Sequence, residues 1–482
     1  MPWKIGENNI AGQVSATPKQ DPGVSRYTKP MPRNGLESIN SGASSCRYKY
    51  PRELRIIAQS ESLMNVLKRL DHLDTRHRHP FHVISEVLMC LIIGFCAGRS
   101  TVKDALEFCQ HHLEQLRGHL PLQHGVPSRS TACRVLKMTD QDDFRTVFAD
   151  WTSSFVSTEN TVIIIDGKGE RGSAKKDRSE RTPYILNAIE ASSKLVVNLR
   201  EVGEKENEKT EFHPLLEEMD LAGSCVIADA MATDQNIMRS IRKGNADFVL
   251  QVKKNNPQLY KEIAENMEEV KNEAIAIKNS DRESVYKEAL KTYSHHKTFE
   301  VNGGRHEYRE GWATNDVSLV SHSSTTLPFI KTIGVMEQVR ILEVKDKDGN
   351  DVTPSREDFI LNGSVRQPHP TAGDDISDPI QRIGLISSKE MTAKELMVTR
   401  RLYWEIENSC HYVLDNTFDE DRYHYHVNRF NIGIVRRFAY NIVRLIQTRE
   451  CPKQSMRGTA NLFCDMWEYV EKYCFDGIER AS

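Results

Sequence analysis

Apolar positions follow two different rhythms along this chain. Between residues 54 and about 154 the spacing is helical: Val83, Val87, Cys90, Leu91 and Gly94 share one face, as do Val102, Ala105, Leu106 and Cys109. A Pro-Ser turn at Pro127 and Ser128 then opens a short helix through Val135, with Ser128 or Ser130 as its N-cap. Near residue 161 the rhythm changes. TVIII (161–165) is a β-branched run short enough for a buried strand, and ILNAIEA (185–191) and KLVVNLREV (194–202) predict two more strands, a meander. A helix over 212–221, strand CVIAD (225–229), a helix over 234–243 and strand ADFVLQV (246–252) follow. Three strands followed by alternating helices and strands predict an α/β mixed sheet.

Beyond residue 255 the signal loosens. A charged helix, strand-like stretches around 331–344 and a polar, Pro/Gly/Asp-rich loop at 345–380 predict a long, mainly β insertion up to residue 388, and helical spacing returns from Thr392 to the end. Residues 1–50, rich in Pro, Ser, Gly and Asn, predict a loosely ordered arm. The expected organisation is therefore an arm (1–50), a helical N-terminal domain (51–155), the first part of a core (156–254), an insertion subdomain (255–388), the rest of the core (389–450) and a helical tail (451–482).

Composition narrows the class. With 482 residues the chain has length for two to four units at roughly 100–200 residues each. Hydrophobic residues at 38% and charged residues at 28% fit a globular protein and exclude wholesale disorder. A net charge of −3 gives no general attraction to a polyanion, so any nucleic-acid contact must come from local basic clusters. The ten cysteines stand singly without a CxxC pair, which favours free thiols over zinc or disulfides. The longest apolar run, 87–98, is short of the ~20 residues that span a bilayer, and the N-terminus lacks a signal-peptide pattern. A cytoplasmic location is the expectation.

Candidate chemistry sits at strand ends. Asp166 follows TVIII and Asp229 closes CVIAD. A strand-end Asp alone is commonly a turn former, but two in neighbouring strands would bring carboxylates together at the rim of the sheet. Converging carboxylates repel unless a cation neutralises them, and an all-oxygen site suits Mg²⁺ or Mn²⁺. A third acid should come from the helical segment 392–415, where Leu402, Ile406, Cys410 and Val413 form a buried stripe. Glu405 and Glu407 flank Ile406 on opposite sides, and spacing does not choose between them. Trp404 reads as core packing. His72, His77, His79 and His82, and His424 with His426, lack the partners of a transition-metal site.

The motifs IDGKGERGS (165–173), DLAGSCVIADAMATDQNI (220–237), KGNADFVLQVKKNN (243–256) and YWEIENSCHYVLDNTFDED (403–421) closely resemble the H-repeat-associated (ISAs) family of bacterial insertion-sequence DDE transposases. The stretch HLDTRHRHPFHVISEVLMCLIIGFCAGRST (72–101) resembles that family's associated N-terminal domain. The resemblance runs in family order from about residue 70 to 447. It implies a ribonuclease-H-like core in which Asp166, Asp229 and, from the W-x-I-E-N motif, Glu407 are catalytic and hold two Mg²⁺ (or Mn²⁺) ions. The activity implied is cleavage at insertion-sequence ends and transfer of the strands to target DNA. The implied partners are double-stranded DNA, both terminal inverted repeats and target, and further copies of the chain in a homodimer or larger synaptic complex. Gly169 and Glu170 depart from the usual hydroxyl and apolar residues after IDGK, and Leu414 stands where related cut-and-paste transposases carry a Lys.

Candidate DNA contacts are Lys168, Arg171, Lys175 and Lys176 around the first Asp, Lys253 and Lys254 after the last core strand, and Arg400 and Arg401 ahead of Glu407. Arg129, Arg134 and Lys137 would belong to a helix-turn-helix with the helix over 101–112. The competing readings are a domesticated descendant that binds DNA without cutting it, and a metal-dependent nuclease without strand transfer.

Overall fold

β-branched runs do build the centre of the molecule. The computed structural model describes residues 61–76, 80–169, 184–203, 208–253, 255–278, 293–302, 305–320, 327–342, 381–422 and 429–478. The expected arm (1–50) and the 345–380 loop lie outside them. The helical part comprises α1 (Leu63–Lys68), α2 (Ile84–Cys96), α3 (Val102–His111), α4 (Leu113–Leu116), α5 (Arg129–Met138) and α6 (Gln141–Ser153). The side chains of Thr101, Ser128 and Asp140 accept first-turn backbone N–H groups and so set where α3, α5 and α6 begin. Every residue of α2 is buried, and Gly94 is what lets α3 approach it, because an added Cβ would lie 2.4 Å from Ala105 Cβ.

Next come β1 (Val162–Gly169), β2 (Tyr184–Glu190), β3 (Val196–Val202), α7 (Glu208–Glu217), β4 (Cys225–Ala228), α8 (Gln235–Lys243) and β5 (Asp247–Val252). Helix α7 starts four residues ahead of the apolar spacing because its first turn, Glu208 to Glu211, is polar. Then follow α9 (Pro257–Lys278), β6 (Tyr293–Asn302), β7 (Arg305–Thr314), β8 (Thr332–Leu342), β9 (Gln381–Ser387), α10 (Ala393–Glu405), α11 (Tyr412–Asn416), α12 (Arg429–Arg449), α13 (Met456–Asp465) and α14 (Trp467–Val470).

The sheet runs β3-β2-β1-β4-β5-β9-β8-β7-β6. Strand β1 is antiparallel to β2 and parallel to β4, with Ile163 opposite Val226, Ile164 opposite Ile227 and Ile165 opposite Ala228. Alternation along the strands then sorts side chains between two helical layers. Ile163, Ile165, Val226 and Ala228 join a core with residues of α7, α8 and α9. Ile164 and Ile227 join the opposite core, with α1 to α6 and α12. Helices therefore cover both faces of the central strands.

The inserted segment is continuous with this sheet, since β9 pairs antiparallel with β5 and β8, β7 and β6 follow outward. Strands β6 and β7 escape hydrophobic patterning because charge pairs fill them: Arg309 reaches Glu300 at 3.2 Å and His295 meets Glu310 at 2.8 Å. The cysteines among the described residues are free thiols. No helix among these residues is long and apolar enough to cross a membrane.

Candidate active site

The register of β1 against β4 places the two aspartates: Asp229 follows β4, whereas Asp166 lies inside β1 rather than after it, one residue past the last β1–β4 pair, Ile165 opposite Ala228, because the β2 ladder carries the strand on to Gly169. Asp166 shares the pleat face of Ile164, and Asp229, one residue past β4, shares that of Ile227. Both carboxylates therefore sit on the face covered by the chain after β9. One Asp229 carboxylate oxygen caps the next turn by accepting the Met231 N–H at 2.8 Å.

The third element starts at a capping box between Thr392 and Glu395 and runs as α10 to Glu405. Over Ile406–His411 it widens into a π-helical turn before α11 resumes, a feature frequent at functional sites. This turn packs against β1. It also gives the two glutamates different surroundings. Glu405 is tied to Lys194 at 2.9 Å and accepts from the Ser409 hydroxyl at 2.8 Å. Glu407 lies in the field of Asp166, Tyr403 and Arg400.

Electrostatics show how closely these groups are coupled. Burial pushes the Asp166 carboxyl up to about 8; a hydrogen bond from the Tyr403 hydroxyl opposes that rise, and the charges of Asp229 and Glu407 add to it. Burial also raises Asp229, against the Met231 N–H, Lys253 and Arg400. Arg400 is only 4% exposed, and burial brings its guanidinium down to about 10 against the pull of Tyr403, Glu407, Asp229 and Asp166. It lies 4.7 Å from the Tyr403 ring and 5.8 Å from that of Trp404. Neither Nε nor Nη1 of Arg400 has a hydrogen-bond partner among the described residues.

Among the described residues no three His, Cys, Asp or Glu side chains are gathered tightly enough to form a metal cage. The donor set still suits a hard divalent cation. Its acids offer carboxylate oxygens, and such an ion would offset both the burial that chiefly raises Asp166 and the charges of Asp229 and Glu407 that add to the rise.

Asp166 gives the metal-free protein a pH signature. A carboxyl at about 8 folded and ~3.9 unfolded binds its proton more tightly when native. Its stabilising contribution is complete below ~4 and is lost as pH rises towards 8, at no more than about 1.4 kcal/mol per pH unit. The 18% of the side chain still open to water reduces that figure. Urea unfolding in chelator should show stability falling between pH 6 and 8, and Asp166→Asn should flatten that slope. Equal slopes in both proteins would refute it.

His411, on the π turn, places Nδ1 3.7 Å from Asp166 Oδ2. The contact is not an ion pair, because burial, with Lys168 and Arg437 nearby, takes the imidazole down to about 3 and keeps it neutral. Tyr403 and His411 have no sequence signal of their own as site residues, since neither belongs to a spacing that chemistry demands.

The other candidates scatter. Lys168 is not a free phosphate contact: it is 6% exposed and bonds Asp415 at 2.6 Å, with Asp421 at 3.6 Å. Arg401 is held by Glu300 at 2.7 Å. Lys253 is exposed and close enough to Asp229 to lower its carboxyl. Arg129, Arg134 and Lys137 are exposed on α5, apart from the acids, and α4 intervenes between α3 and α5. Arg171, Lys175, Lys176 and Lys254 lie outside the described residues, as do His77, His79, His424 and His426. His82 is paired with Glu86 at 3.0 Å.

A mixed sheet with strands 3-2-1-4-5 at its heart, Asp166 and Asp229 just past the paired run of β1 and β4, and a helix laid across them define a ribonuclease-H-like α/β core. The chain belongs to the DDE-domain transposases, in the H-repeat-associated family: residues 144–442 match the family described as Transposase DDE domain, and residues 64–152 match the one described as DDE_Tnp_1-associated. YncI of Escherichia coli O157:H7 is 26% identical over 374 residues, covering 75% of this chain and 82% of its own. The H repeat-associated protein YhhI of Escherichia coli strain K12 is 25% identical over 341 residues, covering 70% and 79%. A chain of the piggyBac transposase synaptic complex with hairpin DNA aligns over 88% of this chain and 82% of its own, at 10% identity and a TM-score of 0.37, too loose a likeness to bear on function.

Proposed function

We propose that this chain cleaves DNA at insertion-sequence ends and transfers the strands to target DNA, with Asp166, Asp229 and Glu407 holding two Mg²⁺ or Mn²⁺ ions. The observation that supports this best is the coupling of three acids that lie far apart in the sequence: Asp166 and Asp229 share one face of the sheet, Glu407 lies on the turn packed against β1, and the charges of Asp229 and Glu407 both add to the rise of Asp166. When bound, the ions supply an activated water or 3′-hydroxyl and stabilise the leaving 3′-oxygen of an in-line displacement at phosphorus.

The chain's own residues supply the rest. Carboxylates fixed on the sheet and on a turn packed against it need no reorganisation as charge develops, which is where such sites gain most. Arg400, buried and with free donors beside the acids, is placed to meet a non-bridging phosphate oxygen. Lys253 extends positive charge outward from Asp229, and Arg129, Arg134 and Lys137 offer a second, remote patch for flanking duplex. Two transposon ends require at least two copies of the chain, so the working form is a homodimer or larger synaptic complex acting at the nucleoid.

The test is to incubate the protein with Mg²⁺ or Mn²⁺ and a DNA carrying the inverted repeats that flank its gene. Joined strand-transfer products are the expected result. Binding without cutting would instead identify a DNA-binding descendant, and cutting without joining a nuclease.

A further inference from the structure

A run of donors and acceptors leads from the protein interior to Asp166, and its direction is set by chemistry at the far end. Arg437 and Glu420 form a fully buried ion pair. Arg437 also donates from Nε to Asn187 Oδ1 at 3.0 Å. A guanidinium only donates, so the amide orientation of Asn187 is not free: its oxygen faces Arg437. Its nitrogen then donates to the Ile185 carbonyl at 3.1 Å and faces His411 Nε2 at 3.5 Å. An NH₂ group approaching a ring nitrogen requires a lone pair there. With the lone pair on Nε2, the ring proton is on Nδ1, the atom directed at Asp166 Oδ2 from 3.7 Å.

We propose that His411 is a positioning residue for Asp166: the Glu420–Arg437–Asn187 relay holds its imidazole as the Nδ1–H tautomer, which directs one carboxylate oxygen of Asp166 and leaves the other for the metal. The inference rests on the reading of Asp166 as a metal-holding carboxylate. At 3.7 Å the final link is longer than a hydrogen bond, and such links commonly tighten when a site is filled. Asn187 stands opposite Asp166 across the β1–β2 ladder, so strand pairing itself brings the relay to the acid. The π turn supplies the other half, because it carries Glu407 near its start and His411 at its end. Outer-sphere donors of this kind typically change metal affinity about 10–100-fold when removed.

Two measurements test this independently of each other. In metal-free protein labelled with ¹⁵N-histidine, signals assigned to His411 by their loss in His411→Asn should show the Nδ1–H tautomer. An Nε2–H or doubly protonated ring would overturn the inference whether or not Asp166 is catalytic. Mg²⁺ titration of cleavage and calorimetric Mn²⁺ binding should both shift by ~10-fold or more in His411→Leu, with the saturated rate changing less than the half-saturation point. His411→Asn puts an N–H near the place of Nδ1–H and should stay within about threefold of the parent. An unchanged metal requirement in His411→Leu would overturn the proposal. Full cleavage by Asp166→Asn would instead remove the reading of the site while leaving the tautomer result intact.

Discussion

Asp166→Asn and Glu407→Gln should each reduce DNA cleavage by on the order of 10³-fold or more, the equivalent of losing ~4 kcal/mol at the transition state. Both substitutions keep side-chain volume and remove only charge, so DNA affinity measured by gel shift in chelator should stay within a few-fold of the parent. Asp166 carries the stronger expectation, since both other acids act on it. Glu405→Gln is the informative control. Glu405 is engaged with Lys194 and Ser409 on the other side of the helix, so this variant should cut at close to the parental rate. If Glu405→Gln were dead and Glu407→Gln active, the third acid would have been chosen wrongly. Full activity in Asp166→Asn would remove that residue from the chemistry.

The glutamate choice shows where sequence periodicity stops. The runs around Ile164, Ile227 and Val249 announce themselves because a strand covered on both faces needs uninterrupted apolar, β-branched residues. The acids that follow two of those runs were legible for the same reason. A regular helix, however, puts residues two apart about 200° from each other, so either glutamate could have faced the sheet. The family motif selected Glu407, and the π turn is the local geometry that carries it. Strands β6 and β7 were illegible for the opposite cause: their interior is made of ion pairs such as Arg309 with Glu300, which reads as surface. Lys168 misled in a similar way. Two residues after Asp166 it resembles a phosphate contact, and only residues some 250 positions later, Asp415 and Asp421, reveal it as a buried partner. Asn187, Tyr403 and His411 depend on tertiary neighbours that no local pattern encodes.

Glu420→Ala should be among the most destabilising single changes available in this chain. Its carboxylate and the Arg437 guanidinium are both 0% exposed, and Arg436 stands 4.0 Å away. Truncating one member of such a pair strands the other's charge in the interior, at about 3–5 kcal/mol, a large share of the ~5–15 kcal/mol that holds a typical domain together. Glu420→Leu combined with Arg437→Met removes both charges and should recover much of that loss, so a double-mutant cycle by urea unfolding separates pairing from packing. The pH sign is also fixed. Burial alone would raise the Glu420 carboxyl, but Arg437, Lys168 and Arg436 together hold it below its ordinary value. Its stabilising contribution is therefore present above the unfolded carboxyl range near 4 and is lost as pH falls through the lower folded value, opposite to the trend set by Asp166. A loss under ~1 kcal/mol in Glu420→Ala at neutral pH would show that the pair is not closed in solution. The relay from the interior to His411 would then have no fixed end.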